Sequence, residues 1–272
     1  MAETTVHPTA IIDPSACLGQ GVTIAPYAVI GPDVELGDRV SVGPHAVVEH
    51  ATVGNDSRIF PHAFVGTEPQ DLKFKGEKTR VRVGSRTTVR ECVTVHRGTS
   101  ASGLTSVGDD CLLMAYVHVA HDCVVGNNVI MANVATLAGH VHVGVGAFIG
   151  GLTAVHQFSR IGVGAMIGGG SMVPTDVPPF CMVQGDRAKI VGLNVVGLRR
   201  RGTSKEALSA LKFAYHTLYS SGLSLADAVS KIAGAPSFPE TDLFLDFLRH
   251  LSPRGLCRPA SKVADTEGKD FF

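Results

Sequence analysis

From Val107 onward, the hydrophobic positions of this chain recur at a fixed period of six residues. An amphipathic helix has a period of 3.6 and a half-buried strand a period of two, so neither explains the pattern. The twelve aliphatic positions are Val107, Leu113, Val119, Val125, Met131, Leu137, Val143, Ile149, Val155, Ile161, Ile167 and Val173. Gly or Ala usually follows each of them. This pattern predicts a solenoid in which every hexapeptide supplies a short strand and a turn.

The same period starts earlier in the chain and is interrupted twice. Aliphatic residues recur from Ile24 to Val65 with one skipped residue. The segment Thr67 to Arg80 is polar and charged, and the segment Arg97 to Ser106 is rich in Gly, Ser and Thr. We expect both segments to leave the edge of a coil as loops, where repeat proteins usually carry function.

The end of the repeat suggests a division of the chain into four segments. Residues 1–183 are predicted to form the solenoid, and residues 184–202 a linker. Residues 203–255 are predicted to form a helical domain, and residues 256–272 a flexible tail.

Helical periodicity defines the elements expected within the third segment. Ser204 or Thr203 is a suitable N-cap for a helix that ends near Ser220, with one apolar face. Further helices are expected over residues 224–233 and 240–251.

Composition and charge exclude several classes of function. The chain has 24 basic and 24 acidic residues, so it lacks the basic surface of a nucleic-acid-binding protein. No stretch approaches the roughly 20 apolar residues of a membrane span, and the N-terminus lacks the pattern of a signal peptide. The six cysteines show no C-x-x-C spacing and are expected to be reduced. We therefore expect a cytoplasmic protein.

Histidines supply the candidate chemistry. Five of them fall in three consecutive coils: His118, His121, His140, His142 and His156. Since one coil takes eighteen residues, spacings of 19 and 16 residues predict that His121, His140 and His156 stack near one corner. A neutral histidine could act as general base on a hydroxyl that attacks a thioester, with the amide of Gly139 stabilising the oxyanion. Three histidines could instead hold zinc and activate water.

Seven short segments carry a pattern more specific than the repeat: QDLKF (70–74), TVHRGT (94–99), HVAHDCVVGN (118–127), ATLAGHV (135–141), GGLTAVHQF (150–158), DVPPF (176–180) and GLRRRG (197–202). In this order, they resemble the UDP-N-acetylglucosamine O-acyltransferase family, and the resemblance runs from about residue 6 to 256. It implies a left-handed parallel β-helix with a small C-terminal α-helical domain, and a homotrimer. It also implies transfer of a 3-hydroxyacyl chain from acyl carrier protein to the glucosamine 3-hydroxyl of UDP-N-acetylglucosamine, the first step of lipid A biosynthesis, without a metal or other cofactor.

The resemblance also assigns roles to individual positions. His121 matches the catalytic base, Asp122 the residue that orients it, and the amide of Gly139 the oxyanion donor. Gly169 matches a position where a small residue leaves room for a long acyl chain. The other expected substrate-binding positions are Asp71, Lys73, His118, His140, His156, Gln157, Asn194, Arg200 and Arg201.

Three alternatives stay open at this point. A hexapeptide-repeat zinc carbonic anhydrase would share the solenoid, although no constellation here clearly matches its ligand pattern. The UDP-sugar N-acyltransferase of the same pathway carries an additional N-terminal domain, whereas the hexapeptides of this chain begin almost at once. A non-enzymatic scaffold would make the histidines incidental.

Overall fold

The computed structural model describes residues 3–260, and most of them form a parallel β-solenoid of very short strands. The strands, in chain order, are β1 (Thr5–Val6), β2 (Ile11–Ile12), β3 (Cys17–Leu18), β4 (Thr23–Ile24), β5 (Val29–Ile30), β6 (Glu35–Leu36), β7 (Ser41–Val42), β8 (Val47–Val48), β9 (Ala51–Val53), β10 (Arg58–Ile59), β11 (Phe64–Val65), β12 (Arg80–Val83), β13 (Thr88–Val89), β14 (Thr94–Val95), β15 (Leu104–Val107), β16 (Leu112–Leu113), β17 (His118–Val119), β18 (Val124–Val125), β19 (Ile130–Met131), β20 (Thr136–Leu137), β21 (His142–Val143), β22 (Phe148–Ile149), β23 (Ala154–Val155), β24 (Arg160–Ile161), β25 (Met166–Ile167), β26 (Met172–Val173), β27 (Cys181–Gln184) and β28 (Lys189–Leu193).

Every third strand pairs in parallel, which produces three sheets along a triangular prism. Face I contains eleven strands from β1 to β28, face II nine strands from β2 to β26, and face III eight strands from β3 to β24. His118 pairs with Thr136, and Thr136 with Ala154, so one coil takes eighteen residues at this level. The predicted left-handed parallel β-helix is confirmed.

The core of the solenoid consists of the aliphatic rows that defined the repeat. Leu113, Met131, Ile149 and Ile167 follow one another along the inside of face I and are completely buried. Each such side chain contributes about 1.5–3 kcal/mol by leaving water. Small residues such as Ala135 fill the space near the corners.

Both interruptions of the repeat leave the prism at the same corner, between face II and face III. Residues 66–79 connect β11 to β12, and residues 96–103 connect β14 to β15. Each loop ends slightly earlier than predicted, because β12 begins at Arg80 and β15 at Leu104. After each loop the chain resumes parallel pairing, as β12 pairs with both β9 and β15.

The segment predicted as a linker, 184–202, instead contains regular structure. Strands β27 and β28 form an antiparallel pair that closes face I. Helix α1 (Val195–Arg200) follows, with Asn194 as its N-cap.

Three further helices follow, as predicted. They are α2 (Lys205–Tyr219), α3 (Leu225–Ala233) and α4 (Pro239–Arg249). The side chain of Ser204 accepts a hydrogen bond from the amide of Ala207, which confirms Ser204 as the N-cap of α2. No helix within residues 3–260 has the length and apolar character needed to cross a bilayer.

The predicted tail begins with residues that pack against the end of the solenoid. Leu256 forms a bridge with Asp176, and Pro259 with Ile190. Cys257 is buried. Residues 256–260 therefore extend the folded unit, and the rest of the predicted tail lies outside the described residues.

Candidate active site

The II–III corner carries most of the residues singled out in the sequence. His121 and Asp122 lie on the turn between β17 and β18, directly after the coils from which the two loops depart. Gly139 and His140 lie on the equivalent turn of the next coil, and His156 and Gln157 on the one after. The loops and the three turns therefore form one continuous surface.

The prediction that His121, His140 and His156 lie near one corner is confirmed, but the three side chains do not form a single row. Because the pairing repeats every eighteen residues, Gly139 takes the place equivalent to His121, and His140 the place equivalent to Asp122. The rings of His121 and His140 meet edge to face at 5.1 Å, and His140 stacks on Phe158 at 4.7 Å. His156 occupies a third row, with its Nδ1 3.1 Å from the carbonyl oxygen of Gln157.

His121 is oriented by Asp122. Its Nδ1 lies 2.8 Å from Asp122 Oδ2, and both side chains are buried. An ionised carboxylate can only accept, so Nδ1 carries the proton and donates it in this hydrogen bond. The neutral imidazole then has its lone pair on Nε2, which is the nitrogen available to a substrate.

Gly139 lies directly beneath the His121 ring. A Cβ atom on Gly139 would stand 2.6 Å from His121 Nε2 and 2.5 Å from Cε1, so only glycine leaves room for the ring. Among residues 3–260, the Gly139 amide has no acceptor within hydrogen-bond distance. A free N–H donor and a basic nitrogen are thus adjacent at this point.

Asp122 is held ionised by a dense set of donors. Burial by itself would raise the pKa of this carboxyl, but hydrogen bonds from Ser102, His121 and Thr99 outweigh it and lower the pKa to about 2. Thr99 and Ser102 belong to the loop 96–103. The sequence analysis gave neither residue a role, although Thr99 ends the segment TVHRGT and the loop is rich in hydroxyl side chains.

Two other histidines of this surface, His118 and His140, favour the neutral state. Burial lowers the pKa of His118, and the nearby His121 lowers it further. Burial also lowers the pKa of His140, although the carboxylate of Asp122 opposes the effect. The His118 Nδ1 lies 2.7 Å from the hydroxyl of Thr94 on the neighbouring strand. Neutral imidazoles can donate to, and accept from, the hydroxyl groups of a sugar.

The first loop brings Asp71 and Lys73 to the same corner. Asp71 is close enough to His140 for its charge to affect the histidine pKa. Its carboxylate accepts a hydrogen bond of 2.9 Å from the Lys73 amide, while the Lys73 side chain is exposed. The buried Arg97 stacks on Phe74 at 5.2 Å and so ties this loop to the second one.

Three of the predicted residues, Gly169, Asn194 and Arg201, lie at or contact other corners of the same chain, and a fourth, Arg200, lies on α1. Gly169 lies at the I–II corner, in a mainly apolar cavity of about 330 Å³ that also contains Gly151, Met166 and Met182. Asn194 and Arg201 contact the III–I corner, where Asn194 Nδ2 donates to the Gly164 carbonyl oxygen at 3.1 Å. Arg201 Nη2 donates to the Gly146 carbonyl oxygen at 2.6 Å, and Arg200 is exposed.

A metal centre was the main alternative for the histidine cluster. His121, Asp122 and His140 offer ligand atoms within 4.8 Å of one another. However, both Asp122 oxygens already accept hydrogen bonds from the protein, and His121 uses Nδ1 for one of them. The donor set therefore fits an oriented general base better than a zinc site.

Comparisons with known proteins agree with the fold. The model of the bacterial transferase hexapeptide (six repeats) matches residues 16–50 and 105–139, and that of Udp N-acetylglucosamine O-acyltransferase, domain 2, matches residues 176–257. The acyl-[acyl-carrier-protein]–UDP-N-acetylglucosamine O-acyltransferase of Verminephrobacter eiseniae is 53% identical over 234 residues, which is 85% of this chain and 89% of the relative. The enzyme of Burkholderia orbicola is 49% identical over 265 residues, covering 94% of this chain and all (100%) of the relative.

Solved structures give the same result. LpxA from Acinetobacter baumannii superposes with a TM-score of 0.91 at 42% identity, covering 93% of this chain and 99% of that chain. A UDP-N-acetylglucosamine acyltransferase from Bacteroides fragilis superposes with a TM-score of 0.90 at 40% identity, covering 93% of this chain and 100% of that chain. Since this similarity spans the solenoid and the C-terminal helices alike, the chain belongs to the acyl-[acyl-carrier-protein]–UDP-N-acetylglucosamine O-acyltransferase family.

Proposed function

We propose that the protein transfers a 3-hydroxyacyl chain from acyl carrier protein to the glucosamine 3-hydroxyl of UDP-N-acetylglucosamine, the first step of lipid A biosynthesis. The observation that carries this proposal is the adjacency of His121 Nε2 and the free amide of Gly139, with Asp122 fixed behind the imidazole. Acyl transfer needs a base and an oxyanion donor that both reach the same reacting group. Family membership supports the same reaction.

The reaction proceeds in two steps at this corner. His121 Nε2 removes the proton of the sugar hydroxyl as its oxygen attacks the thioester carbon, and the Gly139 amide donates to the oxyanion that forms. The tetrahedral intermediate then collapses, the carbon–sulfur bond breaks, and the thiolate receives the proton from His121. Asp122 stabilises the transient imidazolium and keeps its proton on Nδ1 in the resting state.

The remaining residues bind the two substrates. Asp71, Lys73, His118, His140, His156 and Gln157 hold the sugar, and Asn194, Arg200 and Arg201 hold the nucleotide phosphates or the acidic carrier protein. Gly169 leaves space for a long acyl chain, which the adjoining apolar cavity supports.

A cytoplasmic location stays a prediction.

The active form is a homotrimer in which neighbouring solenoids complete each site. Two observations support this. In one chain the proposed binding residues lie at three different corners, and three-fold packing of neighbouring chains would bring different corners together. The I–II corner also presents a row of exposed apolar side chains from successive coils, Tyr116, Val134 and Leu152, which a second copy would cover.

The test is an assay of purified protein with 3-hydroxyacyl carrier proteins of several chain lengths and UDP-N-acetylglucosamine, with and without a chelator. We expect a product acylated on oxygen at position 3, formed at the same rate in both conditions. Carbon dioxide hydration that is lost with the chelator, without acyl transfer, would support the zinc alternative and contradict the proposal. The choice of chain length tests the role of Gly169 separately, since Gly169→Met should shift the preference to shorter chains.

A further inference from the structure

We infer that the loop 96–103 is a positioning element for the catalytic base, and that Thr99 and Ser102 act through Asp122 to hold His121 in its reactive orientation. The inference rests on the proposed function, because it concerns the same base. Neither hydroxyl needs to touch a substrate. Both are therefore positioning residues.

The contacts between the loop and Asp122 are unusually numerous for one carboxylate. Thr99 Oγ1 donates to Oδ2 at 2.7 Å, and its amide donates to Oδ1 at 3.1 Å. The Ser102 amide donates to Oδ1 at 3.3 Å, and its hydroxyl also donates to Oδ1. With His121 at 2.8 Å, five donors meet a group that has about four lone-pair sites. The carboxylate has no freedom left to rotate.

The direction of the Thr99 hydrogen bond is fixed by its surroundings. Thr99 Oγ1 accepts a hydrogen bond from the Ala101 amide at 3.2 Å, so its own proton points to Asp122. Ser102 Oγ accepts from the Leu104 amide at 3.3 Å and could donate to the Leu104 carbonyl oxygen at 3.0 Å or to Asp122. The charged carboxylate is the stronger acceptor. The loop thus turns two hydroxyl protons and two amides toward one buried charge.

A third hydroxyl fixes the backbone of Asp122. The Asp122 amide donates to Thr105 Oγ1 on β15 at 2.8 Å. Asp122 itself has a positive φ of 59°, the turn conformation that His140 and Phe158 also adopt at the same place in the next two coils. The backbone and the side chain of Asp122 are therefore both held by the same coil, the one that carries the loop.

This arrangement controls how strongly Asp122 pulls on the imidazole. Donors from the loop spread the carboxylate charge over several hydrogen bonds, so that His121 can release its proton to the leaving group. Without the Thr99 hydroxyl, Oδ2 would keep His121 as its only donor, and the imidazolium would be stabilised more. The titratable groups facing His121 are His96, His118 and His140, together with Asp122 itself. None of these three histidines can replace the lost donor, since the closest one, His140, has its Nε2 3.7 Å from Oδ2.

The test compares Thr99→Val, Thr99→Ser and the double variant Thr99→Val/Ser102→Ala in the acyl transfer assay over pH 5–9. Thr99→Val should lower kcat about tenfold and the double variant about 100-fold, as expected for hydrogen bonds to a charged group. KM for both substrates should stay within about twofold, because neither hydroxyl is a substrate ligand. The acid limb of the pH profile should move to higher pH, and Thr99→Ser should restore both parameters.

The matched control is Thr87→Val. Thr87 is also buried, and its hydroxyl also donates a bond of 2.7 Å, but to the Gly108 carbonyl oxygen at the III–I corner. This variant should lose thermal stability without any change in the pH profile. A Thr99→Val enzyme that behaves like Thr87→Val, or that changes KM alone, would overturn the inference.

A second readout separates this inference from the proposed function. Nitrogen NMR of the histidine rings in the free protein reports whether His121 carries its proton on Nδ1. We expect the wild type to hold the Nδ1–H form and Thr99→Val to show a mixture of tautomers or a shifted titration. An unchanged spectrum in the variant would overturn the positioning role even if acyl transfer is observed. Absence of acyl transfer in the wild type would contradict the proposed function, and the spectra would still decide the role of the loop.

Discussion

At the residue scale, the position of Gly139 against the His121 ring determines the chemistry that the II–III corner can perform. Gly139 was predicted to leave its amide open to an oxyanion, and the structure adds a second reason for glycine at this position. The His121 ring occupies the space that a Cβ atom would take. The close approach that brings the proposed base, His121, next to the amide therefore depends on the missing side chain.

Replacing Gly139 with alanine should remove activity without unfolding the protein. The His121 ring would have to swing away from the amide, and a misplaced base or a blocked oxyanion donor each costs about 100-fold in rate. The measurement is kcat/KM together with circular dichroism. Gly234→Ala is the matched control, because the nearest atom to its Cβ would be the Lys231 carbonyl oxygen at an ordinary 3.7 Å. Near-normal activity of Gly139→Ala would contradict the described geometry.

The buried side chain of His96 leads to a prediction about how the stability of the fold depends on pH. It is buried beside His118 and His121; burial and their charges lower its pKa from 6.5 to about 4. Its Nδ1 has no hydrogen-bond partner among the described residues. Between about pH 6.5 and 4 the unfolded chain binds a proton that the folded chain does not, so stability falls as the pH falls.

The check is the thermal midpoint at pH 7 and at pH 5. The wild type should lose more stability over this interval than His96→Gln, which has no proton to gain. Equal losses in the two proteins would show that His96 is not held neutral in the fold.

At the element scale, the sequence was most informative where a period existed. The twelve aliphatic positions, the two loops and the helices after Ser204 all follow from local patterns, and the structure confirms them. The hairpin of β27 and β28 was missed because its strands, of four and five residues, lie beyond the hexapeptide period that defined the other strands. The sequence did not predict which histidines occupy equivalent places in successive coils. Spacings of 19 and 16 residues do not fix that register, whereas the pairing of the strands does.

The attachment of the C-terminal segment depends on a buried carboxylate that the sequence did not single out. Asp176 is completely buried. It accepts hydrogen bonds from the Ser252 amide at 2.6 Å, the Ser252 hydroxyl at 2.7 Å and the Arg160 amide at 2.9 Å. These bonds join the end of the solenoid to the segment after α4.

Asp176→Asn should loosen this attachment. The asparagine side chain has only one acceptor oxygen, and its NH2 group would face a donor that now binds the carboxylate. We expect a loss of about 3 kcal/mol in the free energy of unfolding. Thermal melting and hydrogen exchange of residues 250–260 provide the measurement. The control is Asp56→Asn, which breaks an exposed pair with Arg39 and should leave the melting temperature nearly unchanged. Equal effects of both variants would exclude a special role of Asp176.

At the scale of the whole molecule, the fold follows from the sequence but the complete site does not. A hexapeptide period identifies the three-sided solenoid, and specific segments identify the family. The period does not say which corner each turn will occupy after two loops of different length. The structure places His121 at the II–III corner, Gly169 at the I–II corner and Arg201 at the III–I corner.

This distribution leads to a prediction for mixed trimers. If His121 of one subunit acts with Arg201 of a neighbour, inactive His121→Ala and Arg201→Ala subunits should complement each other. In a random one-to-one mixture, about one quarter of the sites combine both intact residues in a cyclic trimer. Co-expressed and co-purified variants should thus regain about a quarter of wild-type activity. No recovery would mean that both residues act within one chain.

One assay tests whether His121 is the base of an acyl transfer. Wild type, His121→Ala and the control His45→Ala, whose ring stacks on His62 at the I–II corner, are compared with 3-hydroxyacyl carrier protein and UDP-N-acetylglucosamine in the presence of chelator. We predict sustained transfer by the wild type and the control, and a loss of about 10²–10⁴-fold in His121→Ala, the usual contribution of a general base. Transfer that does not depend on His121 would contradict its role as the general base.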